Sequence, residues 1–135
     1  MVKLDAAVRT LLVEHRFAVL GTLNDDGSAH LTVIWYGRRD DEPIVNTTAP
    51  RKKAANIARD PRVSLLVGES DRYVRLDGTA RIVATGEAGL RDIHDLAVRY
   101  DGEAAAEKQS REVWSKQDRV TYAIAVRRIY RYGVD

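Results

Sequence analysis

Two apolar runs, residues 17–23 and 28–36, stand on either side of the polar sequence Asn24-Asp25-Asp26-Gly27. An Asp-Gly pair tolerates the positive φ angles that tight hairpin turns require. The two runs are therefore predicted to form a β-hairpin. This hairpin makes an antiparallel sheet the starting point for the rest of the fold.

Four further segments have the composition of strands. They are predicted at 44–48, 63–67, 73–83 and 121–132. Asp77-Gly78 predicts a bulge or bend in the third of these, and 37–43 is predicted to be a polar loop. Six antiparallel strands in so short a chain favour a small closed or split barrel, because closure removes exposed sheet edges.

Apolar residues at helical spacing predict helices over 4–15, 87–100 and 103–116. A short helix is predicted to begin at Pro50, whose missing N–H has no partner in a first turn, and to end before Pro61. The predicted class is therefore mainly β with flanking helices. Because no repeat or linker divides the chain, residues 1–135 are predicted to form a single domain.

The composition excludes several classes of site and partner. The 135 residues are 44% hydrophobic and 31% charged and include no cysteine, which excludes disulfides, thiolate metal sites and cysteine nucleophiles. The net charge is only +2, so a nucleic-acid partner is not expected. No window approaches the roughly 18 apolar residues of a membrane span, and a cytoplasmic location is the expectation.

The sequence identifies no catalytic residue. The histidines, His15, His30 and His94, lack the spacing of metal ligands, so no metal site is predicted. Glycine-rich phosphate loops are also absent. Any cofactor must therefore be held by other means.

The segment 46–61 places fixed positive charge at a corner between a strand and a helix. Arg51, Lys52 and Lys53 are predicted to occupy the first helical turn, where free backbone N–H groups favour an anion. Cations there are unfavourable unless an anion offsets them. Because neighbouring residues cannot share a helix face, Arg51 and Lys53 form a pair and Lys52 points elsewhere.

Two threonines at the strand end extend this corner. Thr47 and Thr48 can donate hydroxyl groups to a phosphate, which Arg can bind bidentately and Lys as a point charge. A solvated charge run at a helix start explains the same residues equally well. The chemistry of the segment leaves both interpretations open.

Several segments together carry a family resemblance, in order and at matching spacing: 17–23, the Asp-Gly turn, 29–36, 49–66 and 76–81. They resemble the pyridoxamine 5′-phosphate oxidase-like split-barrel superfamily. Within it, the chain is most similar to the actinobacterial flavin/deazaflavin oxidoreductases that use coenzyme F420. The resemblance covers residues 5–84 well and the last strand loosely, and it gives no counterpart for residues 85–118.

The resemblance implies a homodimer of six-stranded antiparallel split β-barrels with two cofactor sites at the subunit interface. The implied function is an F420-dependent oxidoreductase that transfers a hydride between the deazaflavin and a small unsaturated or quinone-like organic acceptor. An FMN-dependent reductase or oxidase of the same fold is the alternative. A non-enzymatic flavin, deazaflavin or haem binder is a third possibility.

The resemblance also implies which residues bind the cofactor. Basic residues at the corner would hold its phosphate, residues of the second strand would run beneath its rings, and a tyrosine would come from the partner subunit. The implied cofactor-binding residues are Leu31, Thr32, Val33, Thr47, Thr48, Pro50, Arg51, Lys53, Asn56 and Tyr73.

Other roles follow less directly from the resemblance. His30 and Tyr36 are candidate proton donors. Cationic side chains are candidates to attract the anionic oligoglutamate tail of F420, and these are Arg38, Arg39, Arg127, Arg128 and Arg131. The sequence flanking the last three does not match enzymes that oxidise pyridoxamine phosphate, so vitamin B6 chemistry is not expected.

Overall fold

The strands of the computed structural model, which describes residues 1–14 and 17–135, form one sheet in the order β2-β1-β5-β6-β7-β4-β3. All neighbouring strands are antiparallel. The strands are β1 (Ala18–Leu23), β2 (Ala29–Ile34), β3 (Tyr36–Arg39), β4 (Glu42–Thr48), β5 (Arg62–Glu69), β6 (Arg72–Ala84) and β7 (Arg119–Tyr132). The helices are α1 (Ala6–Glu14), α2 (Lys52–Arg59), α3 (Gly86–Asp101), α4 (Glu103–Glu112) and a 3₁₀ turn at Trp114–Lys116.

The predicted fold class is confirmed, but the described sheet has seven strands instead of six. The predicted strand 28–36 is interrupted at Trp35, and the chain continues as β3, which pairs with β4 and not with β1. The segment predicted as a loop therefore contains most of β3 and a tight turn in which Asp40 has a φ of 53°. The sequence did not indicate this change of partner strand, because the apolar run 28–36 continues through Trp35 without a break.

The helices lie close to their predicted positions. The chain is still extended at Arg51, with φ −67° and ψ 150°, so α2 begins at Lys52 and not at Pro50. The predicted end of the first helix, at His15, lies outside the described residues. The bulge predicted at Asp77-Gly78 is confirmed by a register shift against β7 at that point. No helix in the described part of the chain has the length and apolarity needed to cross a membrane.

The inner face of the curled sheet forms the hydrophobic core. Alternate residues of the strands point inward, and α1 and α2 close the core with their apolar sides. Core side chains that are at most 2% exposed include Val8, Leu11, Leu20, Leu65, Leu76, Ile124 and Val126.

The outer face of the sheet is covered on one side only. Helix α3 lies against β7 and β4, and a Cβ atom at Gly37 of β3 would lie 3.1 Å from Leu96 Cδ2 of this helix. Over β2, β1, β5 and the first half of β6, the outer face is uncovered in the described part of the chain, and its residues are exposed or half-buried. A cross-strand row runs over it, because the register pairs these residues in turn: Val33, Val19, Leu66, Arg75 and Tyr130.

Helix α3 approaches β7 most closely at Gly89. A Cβ atom at this position would lie 2.4 Å from the carbonyl oxygen of Arg119. We expect Gly89→Ala to lower the free energy of unfolding by about 1–3 kcal/mol, because the helix must move off the strand. Urea denaturation measures this. Asp95→Ala, at an exposed position of the same helix, should change it by less than ~0.5 kcal/mol, and an equal loss in both variants would contradict the close-packing argument.

Candidate functional site

Three cations meet where β4, α2 and β7 come together. Arg119, the first residue of β7, pairs with Thr48, the last residue of β4. Lys53 lies in the first turn of α2, two residues after the exposed Arg51. Lys53 and Arg119 are each only 8% exposed. We call Arg51, Lys53 and Arg119 the basic corner.

The buried charges of the basic corner have no acidic partner. No carboxylate of residues 1–14 and 17–135 forms an ion pair with Lys53 or Arg119. Burial lowers the pKa of Lys53, and the charges of Arg51 and Arg119 lower it further. Burial and the nearby Arg51 lower the pKa of Arg119 to about 10. Buried, uncompensated cations are costly, so this donor set fits an anion such as a phosphate.

The backbone at the corner also favours an anion. The N–H of Arg51 donates to the carbonyl of Thr48 at 3.1 Å, which closes a turn just before the helix. The carbonyl of Arg51 then accepts from the N–H groups of Ala54 and Ala55. The first N–H groups of α2 have no acceptor within the helix, and such groups bind anions.

Alternation along β2 separates the three residues that were expected beneath a ring. Leu31 and Val33 point outward and are 65% and 69% exposed. Thr32 pairs with the core residue Leu20 and points inward. The Oγ1 of Thr32 is the only buried side-chain polar atom without a hydrogen-bond partner in the described part of the chain. A flat ligand on the outer face would thus contact Leu31 and Val33 but not the side chain of Thr32.

The same alternation divides the two threonines of β4. Thr48 shares the outer face with its partner Arg119, whereas Thr47 pairs with the buried Val120 on the inner side. Only Thr48 therefore has its side chain on the face that carries Arg119. Pro50 is exposed at the turn between β4 and α2.

Asn56, which the resemblance places in the cofactor site, is hydrogen-bonded within the protein. Its Nδ2 donates to Thr22 Oγ1 and to Asn24 Oδ1, both at 3.0 Å. Its Oδ1 accepts from Arg59 Nη2 at 3.2 Å. With its polar atoms used in this way and 2% exposure, Asn56 ties α2 to the β1–β2 hairpin.

The candidate proton donors differ in their surroundings. Tyr36 is 1% exposed and donates its hydroxyl to the carbonyl of Leu12 at 2.7 Å. Burial raises the pKa of Tyr36 to about 12. Tyr36 is therefore a core residue and the expectation that it donates a proton is wrong. His30 is half-buried on β2, opposite Thr22.

The remaining described histidine, His94, has internal partners. His94 lies between helices α3 and α4, with its Nδ1 2.8 Å from Ser110 Oγ and its Nε2 3.4 Å from Glu103. His15 lies outside the described residues. No group of three or more potential metal-ligating side chains occurs in the part of the chain that the structure describes.

Tyr73 lies on the uncovered outer face, at the start of β6. Its ring centroid is 6.2 Å from that of Tyr130 and 5.6 Å from that of Tyr132. Its neighbours are thus other tyrosines and not the basic corner, so a role for Tyr73 at the cofactor requires a second subunit.

Most arginines that were candidates for an anionic tail have internal partners. Arg39 pairs with Asp92, and Arg131 pairs with Asp5 at 2.8 Å. Arg38 donates to the carbonyl of Asp40. Arg128 Nε lies 3.7 Å from Asp77 Oδ2, and Arg127 and Arg128 both line an open cavity of about 770 Å³ on the outer face.

Sequence reasoning missed Arg119. This residue lies two positions before the predicted last strand, and it directly follows the segment for which the resemblance gave no counterpart. Its neighbours along the chain do not indicate a site. Only the pairing of β7 with β4 brings it to Thr48 and, from there, to Lys53.

The comparisons with known proteins agree with this architecture. A model of the pyridoxamine 5′-phosphate oxidase family matches residues 4–132. The chain belongs to this family. A conserved hypothetical protein from Mycobacterium tuberculosis is 32% identical, with a TM-score of 0.80 over 98% of this chain and 86% of the other.

Two further relatives of this family member share its fold at lower identity. A solved F420 reductase is 23% identical, with a TM-score of 0.70 over 90% of this chain and 94% of the other. A haem-binding protein from Mycobacterium smegmatis is also 23% identical, with a TM-score of 0.68 over 100% of this chain and 58% of the other. At these identities the likeness establishes the fold alone.

The unpaired charge of Lys53 predicts opposite effects on stability and on anion binding. We expect Lys53→Met to raise the free energy of unfolding at neutral pH by about 1 kcal/mol, because a buried, uncompensated cation is removed. The pKa of Lys53 is lowered in the folded state, so this gain should disappear as the pH rises towards 10.5.

Thermal unfolding with and without inorganic phosphate measures both effects. Phosphate should raise the Tm of the wild-type protein and leave that of Lys53→Met unchanged. Lys52→Met, which changes the exposed neighbouring lysine, is the matched control and should retain the response. A loss of stability in Lys53→Met at neutral pH would contradict the assignment of Lys53 as an uncompensated charge.

Proposed function

We propose that this protein is an F420-dependent oxidoreductase that transfers a hydride between the deazaflavin and a small unsaturated or quinone-like organic acceptor. The observation that carries the proposal is the burial of Lys53 and Arg119 without any described carboxylate beside them. Such a corner matches the phosphate of a flavin-like cofactor. The similarity to a solved F420 reductase supports the choice of deazaflavin.

The residues of this chain would bind and orient the cofactor, and the bound deazaflavin would supply the hydride-transfer chemistry. Arg51 and Lys53 of the basic corner would hold the phosphate. Leu31 and Val33 offer an exposed apolar surface on β2, which suits a flat ring and excludes water from it. No described residue is assigned as a catalytic acid or base.

We further propose that the protein is a homodimer through the uncovered outer face. The row from Val33 to Tyr130 crosses five strands, and three of its apolar members are exposed: Val33 is 69%, Leu66 is 41% and Tyr130 is 48% exposed, whereas Val19 is half-buried. An exposed apolar sheet face of this extent is typical of a protein interface. Pairing two such faces would bring Tyr73 of one subunit towards the cofactor site of the other.

FMN is the alternative cofactor, since its phosphate would use the same basic corner. Titration of the apo-protein with F420 and FMN side by side, followed by fluorescence, distinguishes the two. Tighter binding of F420, with turnover of an acceptor, supports the proposal. Tighter binding of FMN, or stoichiometric binding of a flavin, deazaflavin or haem without turnover over a broad panel of acceptors, would replace it.

Lys53 should contribute directly to cofactor affinity. We expect Lys53→Ala to weaken F420 binding by about 1.5–3 kcal/mol, the typical value of a hydrogen bond to a charged group. Fluorescence titration gives the dissociation constants, and Lys52→Ala, on the exposed side of α2, should leave them within about twofold. Equal affinity of the wild type and Lys53→Ala for F420 would contradict the assignment of the cofactor phosphate to the basic corner.

The proposed dimer should depend on the exposed apolar residues of β2. We expect the double variant Leu31→Glu/Val33→Glu to raise the dimer dissociation constant by about 100-fold or more, because buried carboxylates would face each other without partners. Sedimentation velocity measures this. Val113→Glu, at a 40% exposed position that ends α4, is the control for an added surface charge. A wild-type protein that stays monomeric at high concentration would refute the dimer.

A further inference from the structure

A buried chain of hydrogen bonds connects α3 to the basic corner. The Nε–H of Arg119 donates to Asn46 Oδ1 at 2.8 Å. The Nδ2 of Asn46 donates to Thr121 Oγ1 at 2.9 Å and to the carbonyl of Gly89 at 3.0 Å. The hydroxyl of Thr121 donates to Asp92 Oδ2 at 2.7 Å. We call Asp92, Thr121 and Asn46 the α3 relay.

The donors and acceptors of the α3 relay can be arranged in only one order. An ionised carboxylate can only accept, so the single hydroxyl hydrogen of Thr121 is directed to Asp92. The oxygen of Thr121 must then accept from the amide of Asn46. This turns the carbonyl oxygen of Asn46 towards Arg119 and prevents the amide from adopting the flipped orientation. The outer end is held by Arg39, which donates to Asp92 Oδ1.

The relay leaves part of the Arg119 guanidinium available. A guanidinium has five N–H groups in a planar fork. Arg119 uses its Nε–H on Asn46 and one Nη1–H on Gln117 Oε1, which is 3.0 Å away. The other N–H groups have no hydrogen-bond acceptor among residues 1–14 and 17–135. Arg119 pairs with Thr48, whose carbonyl accepts from the N–H of Arg51 at 3.1 Å. The charge of Arg51 acts on both Arg119 and Lys53, and that of Arg119 acts on Lys53, so the free side of the fork belongs to the basic corner.

We propose that Arg119 is a third ligand of the cofactor phosphate and that the α3 relay positions its guanidinium. The proposal rests on the proposed function of the same corner and adds to it the residues that set its geometry. Asn46, Thr121 and Asp92 act through Arg119 and are therefore positioning residues. The competing explanation is that Arg119 only ties β7 to β4, with no contact to a ligand.

The contribution of the phosphate can be isolated with matched ligands. The affinities of the full-length protein are measured for F420 and for its chromophore without phosphate and tail, and likewise for FMN and riboflavin. The ratio of the two affinities within a pair reports the phosphate contact. Tm is measured for each variant, because a purely structural role would lower Tm without changing this ratio.

The variants test the ligand and the relay separately. We expect Arg119→Met to lower the ratio by about 10-fold or more, because a charged hydrogen bond to the phosphate is lost. Thr121→Val breaks the relay and should lower the ratio by about 3- to 10-fold. Thr121→Ser keeps the hydroxyl and should leave the ratio within about twofold. If Arg119→Met does not fold, Arg119→Lys keeps the charge but loses the fork, and it should lower the ratio by about 3- to 10-fold.

Measuring Lys53→Ala in the same way separates the role of Arg119 from the existence of the phosphate site. A ratio that falls in Lys53→Ala but not in the Arg119 variant overturns the role of Arg119 and leaves the proposed function standing. An Arg119 effect with an unchanged ratio in Thr121→Val overturns the relay. No change in any of these variants, or no binding of either ligand pair by the wild-type protein, overturns the phosphate site itself.

Discussion

The other features of the structure depend on how the first half of β7 is packed. It lies between β6 and β4 in the sheet, with the core on its inner side and α3 on its outer side. Gly89 permits this close contact, since any larger residue would meet the backbone of Arg119. A charged residue at the start of such a strand is buried by both layers. The architecture therefore creates a buried cation before any ligand is considered.

The basic corner goes against the usual rules for stable protein interiors. Buried charges are normally paired, yet Lys53 and Arg119 have no described acid beside them, and the charge of Arg119 contributes to lowering the pKa of Lys53. Departures of this kind from local consistency are expected at functional sites. Burial also makes the corner more effective, because an anion that enters it interacts with the cations in a medium of lower dielectric constant than water. An anion bound there would thus recover the free energy that the unliganded protein loses.

The sequence predicted the features that are encoded locally and missed those that need strand pairing. The Asp26-Gly27 turn and the Asp77-Gly78 bulge are signals within a few residues, and both were located correctly. The continuous apolar run through Trp35 gave no sign that the chain changes partner there. The relay joins Asn46, Asp92 and Thr121, which are far apart in the chain, so no local pattern could reveal it. Asn56 was placed on the correct helix, but its neighbours in the hairpin decide its role.

The two halves of the outer face offer different chemistry to one ligand. Beneath α3 the face ends in buried cations, whereas beyond α3 it presents exposed apolar residues such as Leu31 and Val33. A small anion would use only the first half, and a purely apolar ligand only the second. A flat apolar ring joined to a phosphate uses both, and a partner subunit laid over the apolar half would remove the ring from water. The division of this face by α3 is therefore the physical basis for favouring a flavin-like cofactor over a simple anion.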